Sequence, residues 1–424
     1  MDPIPQATTV PGDKSISHRA LILAALAEGA TTLEGLATGA DVRSTMRALG
    51  LLGVRIEEEG GRVLVHGAGA RGFTTPAETI DCGNSGTTMR LLAGVLAGAG
   101  IAATLDGDES LRRRPMGRVL EPLRAMGSKA TGTRGEGGDR ERAPLRLAGG
   151  LLRGRDHRLP VASAQLKTAL LLAGLGAEGP TRVWEPQLSR DHGERMLEAF
   201  GADLRRDADG WIGIRPGVLR SPGTIGIPGD PSSAAFLIAA AILLPGASIE
   251  LENVGLNPTR IGWIEVLRRM GARVDIEARG LAAGEPAGTI RASGGAALVA
   301  TDVSAEEIPA LVDEVPILAV VATQAKGTTR IRGAEELRVK ESDRLAGIAA
   351  SLRRMGAAID ETTDGLSIHG ATPLSGAAVD ADSDHRLAMS LAVAGRIAAG
   401  ETTIDGAEWA DVSFPGFYER LSRV

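Results

Sequence analysis

Two small groups of charged side chains could move protons or hold anions. Asp313 and Glu341 are carboxylates that, if placed together, could pass a proton to and from a substrate. Lys14 and Arg19 stand at the front of an apolar helix predicted over residues 15–27, where the helix dipole already favours anions. An anionic ligand would explain cations at this place, and a solvated, capped helix end is the alternative.

A second candidate anion site lies in residues 82–90, Cys-Gly-Asn-Ser-Gly-Thr-Thr-Met-Arg. Two glycines and several hydroxyl or amide side chains precede an apolar helix. Such a stretch exposes backbone N–H groups that suit a phosphate or a carboxylate, although an ordinary turn would also use these glycines. Cys82 is predicted to be a small packed residue rather than a nucleophile.

Further cations occur in three motifs. The arginines of residues 112–114, before Pro115, form a solvated face, or one of them makes a bidentate contact with a ligand. Arg386, in an Asp-His-Arg sequence beside an apolar helix, needs a counter-charge if it is buried. Lys340 and Arg344 are predicted one helical turn apart on one face, where like charges are unfavourable by about 0.2–0.5 kcal/mol. Acidic neighbours or an anionic ligand could offset that repulsion.

These residues belong to a sequence pattern that occurs six times. Each copy has a small or polar opening, an Ala/Leu-rich helical run, a Gly, a β-branched strand and a closing helix. A repeat of roughly 70–85 residues predicts stacked supersecondary units, and the alternation of strand and helix predicts an α/β fold with mixed sheets. The copies open at Asp13, Gly83, Ala162, Gly229, Asp313 and Asp382.

Two of the openings are nearly identical, Val-Pro-Gly-Asp at residues 10–13 and Ile-Pro-Gly-Asp at residues 227–230. A Pro-Gly pair interrupts regular structure, and the following Asp can cap a helix. We therefore expect one lobe over residues 13–227 and another over 1–12 plus 228–424, with a hinge where the chain passes between them twice. If the helix fronts of both lobes face one cleft, their cations converge on a multiply anionic ligand set.

Composition excludes several functions. The chain has 424 residues, 43% hydrophobic and 24% charged, with a net charge of -6, which is typical of a globular protein. The absence of an overall basic field and the 2% aromatic content disfavour nucleic acid. The N-terminus lacks a secretory signal pattern and no apolar run is long enough for a bilayer, so a cytoplasmic location without membrane contact is expected. The histidine spacing predicts no metal site, and residues 131–142 are predicted as a solvent loop.

Five motifs together carry a family resemblance. They are Pro-Gly-Asp-Lys-Ser-Ile-Ser-His-Arg-Ala at 11–20, Gly-Asn-Ser-Gly-Thr-Thr-Met-Arg at 83–90, Arg-Pro-Met at 114–116, Lys-Glu-Ser-Asp-Arg at 340–344 and Asp-His-Arg at 384–386. In this order the chain closely resembles the 5-enolpyruvylshikimate-3-phosphate synthase family, essentially end to end.

The resemblance implies a fold and a reaction. The fold would be a two-lobed inside-out α/β barrel of six βαβαββ-type repeats, three per lobe. The reaction would transfer the enolpyruvyl group of phosphoenolpyruvate to the 5-hydroxyl of shikimate 3-phosphate and release phosphate, on the route to chorismate and aromatic amino acids. A monomer without a cofactor is expected.

The resemblance also implies roles for individual residues. Asp313 would take the proton of the attacking hydroxyl, Glu341 would deliver or remove the proton at the methylene carbon, and Lys14 would complete the catalytic set. Shikimate 3-phosphate would be bound by Lys14, Ser15, Arg19, Ser163, Ala164, Gln165, Arg190, Asp313 and Lys340. Phosphoenolpyruvate would be bound by Lys14, Gly86, Arg114, Gln165, Arg344 and Arg386.

Three positions depart from the family pattern. Many members carry a lysine just before Thr-Phe-Pro in the last repeat, where this chain has Val412 before Ser-Phe-Pro. The phosphoenolpyruvate site is then one cation short or is filled differently. Ala164 stands where some relatives have serine, and Glu336 where some have asparagine.

Two other functions compete with this one. A sister family transfers enolpyruvate to UDP-N-acetylglucosamine, but its usual mark is a cysteine in the loop that corresponds to residues 111–115, which has none. A non-catalytic anion-binding repeat protein would keep the cations and tolerate loss of Asp313 and Glu341, which are both present.

Overall fold

A computed structural model describes residues 7–134, 141–282 and 284–424. These residues form an α/β fold with mixed sheets, as the sequence predicts. None of the helices in this described part is long and apolar enough to cross a membrane. The helices are α1 (Lys14–Leu26), α2 (Ala40–Leu51), α3 (Gly86–Ala99), α4 (Glu109–Arg113), α5 (Gly117–Ala125), α6 (Ala164–Leu175), α7 (His192–Ala199), α8 (Pro231–Leu243), α9 (Gly262–Arg269), α10 (Val315–Thr323), α11 (Arg344–Arg354), α12 (His385–Ile397) and α13 (Phe417–Ser422).

Strands and short 3-10 helices complete the described secondary structure. The strands are β1 (Ala7–Thr8), β2 (Ala27–Glu34), β3 (Arg55–Glu59), β4 (Arg62–Ala68), β5 (Ile80–Asp81), β6 (Ala103–Asp106), β7 (Thr131–Arg134), β8 (Glu141–Leu147), β9 (Asp156–Arg158), β10 (Thr181–Trp184), β11 (Leu204–Arg206), β12 (Ile212–Ile214), β13 (Leu219–Arg220), β14 (Thr224–Gly226), β15 (Ser248–Gly255), β16 (Arg273–Ala282), β17 (Glu285–Ser293), β18 (Asp302–Val303), β19 (Gly327–Ile331), β20 (Ala358–Thr362), β21 (Gly365–Gly370), β22 (Ala378–Asp380) and β23 (Thr403–Asp405). The 3-10 helices are Ala70–Gly72, Ile308–Ala310, Val312–Glu314, Glu335–Val339 and Ala407–Val412.

Most sheets share one strand order. In the sheet β5-β6-β8-β7, the first two strands are parallel and β8 is antiparallel to both of its neighbours. The same order recurs in β9-β10-β12-β11, in β18-β19-β21-β20 and in β1-β15-β17-β16. Parallel neighbours need a crossover connection, and a buried helix supplies it: α3 joins β5 to β6, α6 joins β9 to β10, and α10 joins β18 to β19.

The described residues separate into two compact units. The N-terminal unit comprises residues 12–227 with Ala282, Gly284 and Glu285, and the C-terminal unit comprises residues 7–11, 228–281 and 286–424. Each unit has its own hydrophobic core. In each unit, one sheet has edge strands that are distant in the sequence from their partners. In the N-terminal unit β13 and β14 pair with β2, and in the C-terminal unit β1 pairs with β15.

The helix that opens a repeat is apolar on nearly all faces and is therefore buried. Every residue of 16–26 in α1 and of 231–242 in α8 is buried. Asp13 and Asp230 cap these two helices, each accepting a backbone N–H at 2.8 Å. The caps confirm the prediction from the repeated Pro-Gly-Asp sequence, since a capping carboxylate satisfies N–H groups that the helix leaves unpaired.

The predicted loop over residues 131–142 is wrong at both ends. Thr131–Arg134 forms β7, and residues 141 and 142 begin β8, which pairs antiparallel with it. Arg124 holds this end of β8 through bonds of 2.6 and 2.7 Å to Glu141. The backbone hydrogen bonds between β7 and β8, together with this ion pair, stabilise the strands although the polar, glycine-rich composition favours a loop. Residues 135–140 lie outside the described residues.

Candidate functional site

In the C-terminal unit, the guanidinium group of Arg344 holds three carboxylates. Its Nη1 donates to Asp313 Oδ1 at 3.1 Å, and its Nη2 donates to Glu341 Oε2 at 2.6 Å. Its Nε donates to Asp384 Oδ2 at 2.7 Å. The Arg344 side chain is only 2% exposed, so its charge depends on these partners. Burial disfavours the cation, but the carboxylates of Asp384, Glu341 and Asp313 outweigh it and hold the pKa of Arg344 above its usual value.

Helix caps explain why these groups meet. Asp343 caps α11 by accepting the N–H of Ala346 at 3.0 Å, which makes Arg344 the first residue of the helix. Asp384 caps α12 through Oδ1, which accepts the N–H of Arg386 at 2.8 Å and leaves Oδ2 for Arg344. Asp313 lies in the 3-10 helix that precedes α10. Arg344, Asp313 and Asp384 are therefore fixed at or near the starts of helical elements, and Glu341 lies three residues before Arg344.

Arg386 joins the same group of charges. Its Nη1 donates to the backbone oxygen of Asp313 at 3.2 Å, and its Nη2 lies 3.5 Å from Asp313 Oδ2. Its Nη1 also lies 3.6 Å from the buried carboxylate of Glu314. The counter-charge that the sequence predicts for a buried Arg386 is confirmed. We call Asp313, Glu341, Arg344, Asp384 and Arg386 the Arg344 cluster.

Lys340 is placed differently from the prediction. It follows the 3-10 helix Glu335–Val339, and α11 begins only at Arg344, so the two cations do not share a helix face. The reason is the cap at Asp343, which starts the helix too late to include Lys340. The ammonium of Lys340 instead donates to Glu336 at 2.9 Å. The glutamate that departs from the family pattern thus supplies a partner for Lys340.

In the N-terminal unit, the front of α1 carries Lys14 and Arg19. Lys14 Nζ lies 3.0 Å from Asp41 Oδ2. Arg19 is buried, and it donates to the backbone oxygen of Ser15 at 3.0 Å and to Thr168 of α6 at 3.2 Å. Burial lowers the pKa of the Arg19 guanidinium to about 10, and the positive charge of Arg190 contributes to the lowering. Arg190 therefore lies close enough to Arg19 for the two charges to interact.

The fronts of α3 and α6 meet through side chains. Gln165 accepts a hydrogen bond from Arg90 at 2.7 Å and donates one to Thr87 at 2.9 Å. A Cβ at Gly86 would lie 2.7 Å from Arg90 Nη1 and 3.4 Å from Arg114 Nη1. The glycine thus leaves room for two guanidinium groups at the N-terminus of α3, an arrangement that suits an anion.

Three other predicted residues of this unit, Ser163, Ala164 and Arg114, lie at the ends of helices. Ser163 caps α6, with its hydroxyl 3.4 Å from the N–H of Leu166, and Ala164 is the first residue of that helix. Arg114 donates to the side-chain oxygen of Asn84. Cys82 is buried, and burial raises the pKa of its thiol, which confirms a packed residue.

Several partners of the predicted residues were missed from the sequence: Asp41, Asn84, Arg90 and Asp384. Asn84, Arg90 and Asp384 lie inside the motifs singled out from the sequence, where the amide of Asn84 and the charges of Arg90 and Asp384 were the signals that could have identified them. Asp41 lies 27 positions from Lys14, and no local pattern joins the two. In the described part of the chain, no group of three or more His, Cys, Asp or Glu residues is arranged to hold a metal ion.

Comparisons with known proteins agree with one another. Residues 2–421 match the family model described as EPSP synthase (3-phosphoshikimate 1-carboxyvinyltransferase). A 3-phosphoshikimate 1-carboxyvinyltransferase of Synechococcus sp. (strain RCC307) is 52% identical over 422 residues, covering 98% of this chain and 95% of that relative. One from Brevibacillus brevis is 48% identical over 415 residues, covering 98% of this chain and 96% of the relative.

A solved structure leads to the same family. The EPSP synthase from Acinetobacter baumannii has a TM-score of 0.87 and 42% sequence identity, covering 99% of this chain and 95% of that chain. These similarities extend over nearly the whole length and confirm the resemblance carried by the sequence motifs. The chain belongs to the EPSP synthase (3-phosphoshikimate 1-carboxyvinyltransferase) family.

Proposed function

We propose that the Arg344 cluster and the helix fronts of the N-terminal unit carry out the reaction of this family. The chain is an enzyme of the shikimate pathway that transfers the enolpyruvyl group of phosphoenolpyruvate to shikimate 3-phosphate. One observation carries the mechanism: Arg344 holds the carboxylates of Asp313 and Glu341 on a single guanidinium group. Addition to a double bond needs a base at the nucleophile and an acid at the far carbon, and two carboxyl groups can supply both.

In the addition step, Asp313 takes the proton of the 5-hydroxyl as that oxygen bonds to C2 of phosphoenolpyruvate. Glu341, which in this proposal takes up a proton when the anionic substrates bind beside it, delivers that proton to the methylene carbon C3. The product is a tetrahedral intermediate in which C3 is a methyl group. Arg344 and Arg386 supply fixed positive charge beside the two carboxyl groups while negative charge shifts during the reaction.

In the elimination step, the bond between C2 and the phosphate oxygen breaks, and the phosphate leaves with the bonding electrons. Glu341 removes a proton from the methyl group, so that the double bond forms again. The proton on Asp313 passes to the departing phosphate. Both carboxyl groups thereby return to their starting states, as turnover requires.

The remaining residues are proposed to bind the anionic substrates. Cations and exposed N–H groups at helix fronts favour phosphate and carboxylate, and each charge-assisted hydrogen bond contributes about 1.5–3 kcal/mol. We assign shikimate 3-phosphate to Lys14, Ser15, Arg19, Ser163, Ala164, Gln165, Arg190, Asp313 and Lys340. We assign phosphoenolpyruvate to Lys14, Gly86, Arg114, Gln165, Arg344 and Arg386.

A direct assay tests the reaction. Phosphate release is measured with phosphoenolpyruvate plus shikimate 3-phosphate, and in parallel with UDP-N-acetylglucosamine as the acceptor. We expect release with the shikimate ester only. Release with the UDP-sugar alone would favour the sister family, and release with neither would favour an anion-binding protein without catalysis.

The role of Glu341 is tested by Glu341→Gln. This change keeps the size of the side chain and removes its acid–base function, so kcat is expected to fall by about 10²–10⁴-fold. Binding of shikimate 3-phosphate, measured by calorimetry, is expected to stay within about threefold. The control is Glu335→Gln, an exposed glutamate of the preceding 3-10 helix, which should leave kcat unchanged. Normal phosphate release by Glu341→Gln would rule out its assigned role.

We further propose that residues 13–227 and residues 1–12 plus 228–424 are the two three-repeat lobes of an inside-out α/β barrel. The strand order shared by the sheets of both units supports this proposal. We also propose that the enzyme acts as a cytoplasmic monomer without a cofactor. Sedimentation equilibrium at the assay concentration tests the oligomeric state, and a mass of twice the chain would contradict it.

A further inference from the structure

A buried lysine in α6 has no role in the proposed mechanism. The side chain of Lys167 is 0% exposed, and its Nζ lies 2.6 Å from Glu185 Oε1 and 2.7 Å from Glu194 Oε1. Burial disfavours the ammonium, but the two carboxylates outweigh it and hold the pKa of Lys167 above its usual value. Removing charges from water is costly, so such an ion triad needs an explanation beyond stability.

The two carboxylates lie on either side of Arg190 in the sequence. Glu185 follows β10 and accepts hydrogen bonds from the backbone N–H of Ser189 at 2.9 Å and from its hydroxyl at 2.7 Å. The residue before Arg190 is therefore tied to Lys167 through Glu185. Glu194 lies in α7, which begins two residues after Arg190, and it is tied to the same ammonium. Lys167 thus fixes the chain both before and after Arg190.

Thr168, the residue after Lys167 in α6, contacts Arg19. Thr168 accepts a hydrogen bond from Arg19 Nη2 at 3.2 Å. A Cβ at Gly193 would lie 2.4 Å from the Thr168 hydroxyl, so α7 approaches α6 as closely as a glycine allows. The carboxylates of Glu194 and Asp13 favour the charged form of Arg19, whereas the charge of Arg190 opposes it. Because the charges of Arg190 and Arg19 repel each other, the chain on either side of Arg190 must hold it near Arg19.

We propose that Lys167, through Glu185 and Glu194, is a positioning residue for Arg190 and thereby sets the affinity for the phosphorylated acceptor. This inference rests on the proposed function, in which Arg19 and Arg190 bind shikimate 3-phosphate. In this proposal Lys167 itself contacts neither substrate. Lys167 holds the guanidinium group of Arg190 in the position in which it binds a dianionic phosphate. The binding free energy is then not reduced by the entropy cost of ordering the chain around Arg190.

The test uses Glu185→Ala, because Lys167→Met would leave two buried carboxylates without a cation and could prevent folding. Glu185→Ala releases Ser189 but keeps the pair of Lys167 with Glu194. We expect the Kd of shikimate 3-phosphate, measured by calorimetry, to rise about tenfold. The KM of phosphoenolpyruvate and the kcat at saturation are expected to change less than about twofold. The control is Glu198→Ala, which removes an exposed ion pair from the same helix α7.

A double-mutant cycle with Arg190→Ala decides whether the effect passes through Arg190. We expect Arg190→Ala to weaken shikimate 3-phosphate binding, and Glu185→Ala to add nothing in that background. Equal losses in both backgrounds, or no loss from Glu185→Ala in the wild-type chain, would overturn the inference. If Arg190→Ala binds normally, the assignment of Arg190 fails and the inference fails with it. Phosphate release by the wild-type chain tests the proposed reaction separately.

Discussion

His18 is a buried imidazole that stays neutral over the ordinary pH range. It lies in α1 with 0% exposure, and its Nδ1 is 2.7 Å from the hydroxyl of Thr45. Thr45 is in turn 2.7 Å from Thr88, which donates to Ser85, the cap of α3. This chain of hydrogen bonds connects α1 to the helix front at Gly86. Burial lowers the pKa of His18 from 6.5 to about 3.

The lowered pKa predicts a loss of stability in acid. Above pH 6.5 the imidazole is neutral in both the folded and unfolded chains, so it adds no pH dependence. Between pH 6.5 and 3 only the unfolded chain gains the proton, and the free energy of unfolding falls by about 1.4 kcal/mol per pH unit. His18→Asn should remove this slope, so the difference between variant and wild type changes by about 2 kcal/mol from pH 7 to pH 5.

Urea unfolding at the two pH values measures this change. The comparison variant is His369→Asn, which removes an imidazole that is 46% exposed instead of a buried one. Parallel curves for His18→Asn and the wild type would show that the buried imidazole takes up its proton in the folded chain.

The sequence identified the candidate acid–base and cationic residues better than the partners that hold them. Asp313, Glu341, Arg344 and Arg386, which come from three separate motifs, lie together in the structure. The prediction that Lys340 and Arg344 share one face of a helix is wrong, because Asp343 caps α11 and the helix therefore begins after Lys340. Contacts such as Lys14 with Asp41 depend on how separate elements pack, and a local pattern does not contain that information.

Helices α3 and α6 pack through small residues. A Cβ at Gly94 would lie 2.1 Å from the carbonyl oxygen of Ala169, and one at Gly98 would lie 2.9 Å from that of Ala173. Such backbone contact leaves no space for a side chain. The close approach brings the front of α3, with Gly86, next to the front of α6, with Gln165. Their shared hydrogen bonds depend on this distance.

Gly94→Ala should therefore destabilise the protein. Alanine is the better helix former by about 1 kcal/mol, but the added methyl group must push two backbones apart, which costs about 1–3 kcal/mol or more. We expect a net loss in the free energy of unfolding, measured with urea. The control is Gly50→Ala in α2, where a Cβ would meet nothing within 4 Å and should stabilise by up to about 1 kcal/mol. Gains of similar size in both variants would contradict the packing argument.

The elements themselves were largely predictable. The openings of α1 and α8 follow from Pro-Gly-Asp, and α1 begins and ends one residue before the predicted range of 15–27. All of β7 (Thr131–Arg134) and the first two residues of β8 (Glu141–Leu147) were wrongly predicted to be a loop, because glycine and charged residues in that stretch indicate one. Pairing with a neighbouring strand is a tertiary effect, and it overrides local composition.

Each compact unit has a core of its own, with the buried cluster of the N-terminal unit drawn entirely from residues 16–227. A fragment of residues 12–227 is therefore expected to fold alone and to unfold cooperatively on heating, as followed by circular dichroism. It should be less stable than the unit in the full chain, because it lacks Glu285, which lies 2.8 Å from His192. Glu285→Gln in the full chain measures that loss separately. A fragment without a cooperative transition would contradict independent cores.

The pairing of β1 with β15 has a consequence for protein synthesis. Thr8 aligns with Leu251 in this parallel pair, so the ribosome makes the first strand about 240 residues before its partner. Everything needed for the core of residues 16–227 emerges in between. The N-terminal unit can thus fold on the ribosome while β1 is still unpaired. The sheet that contains β1 is completed only late in translation.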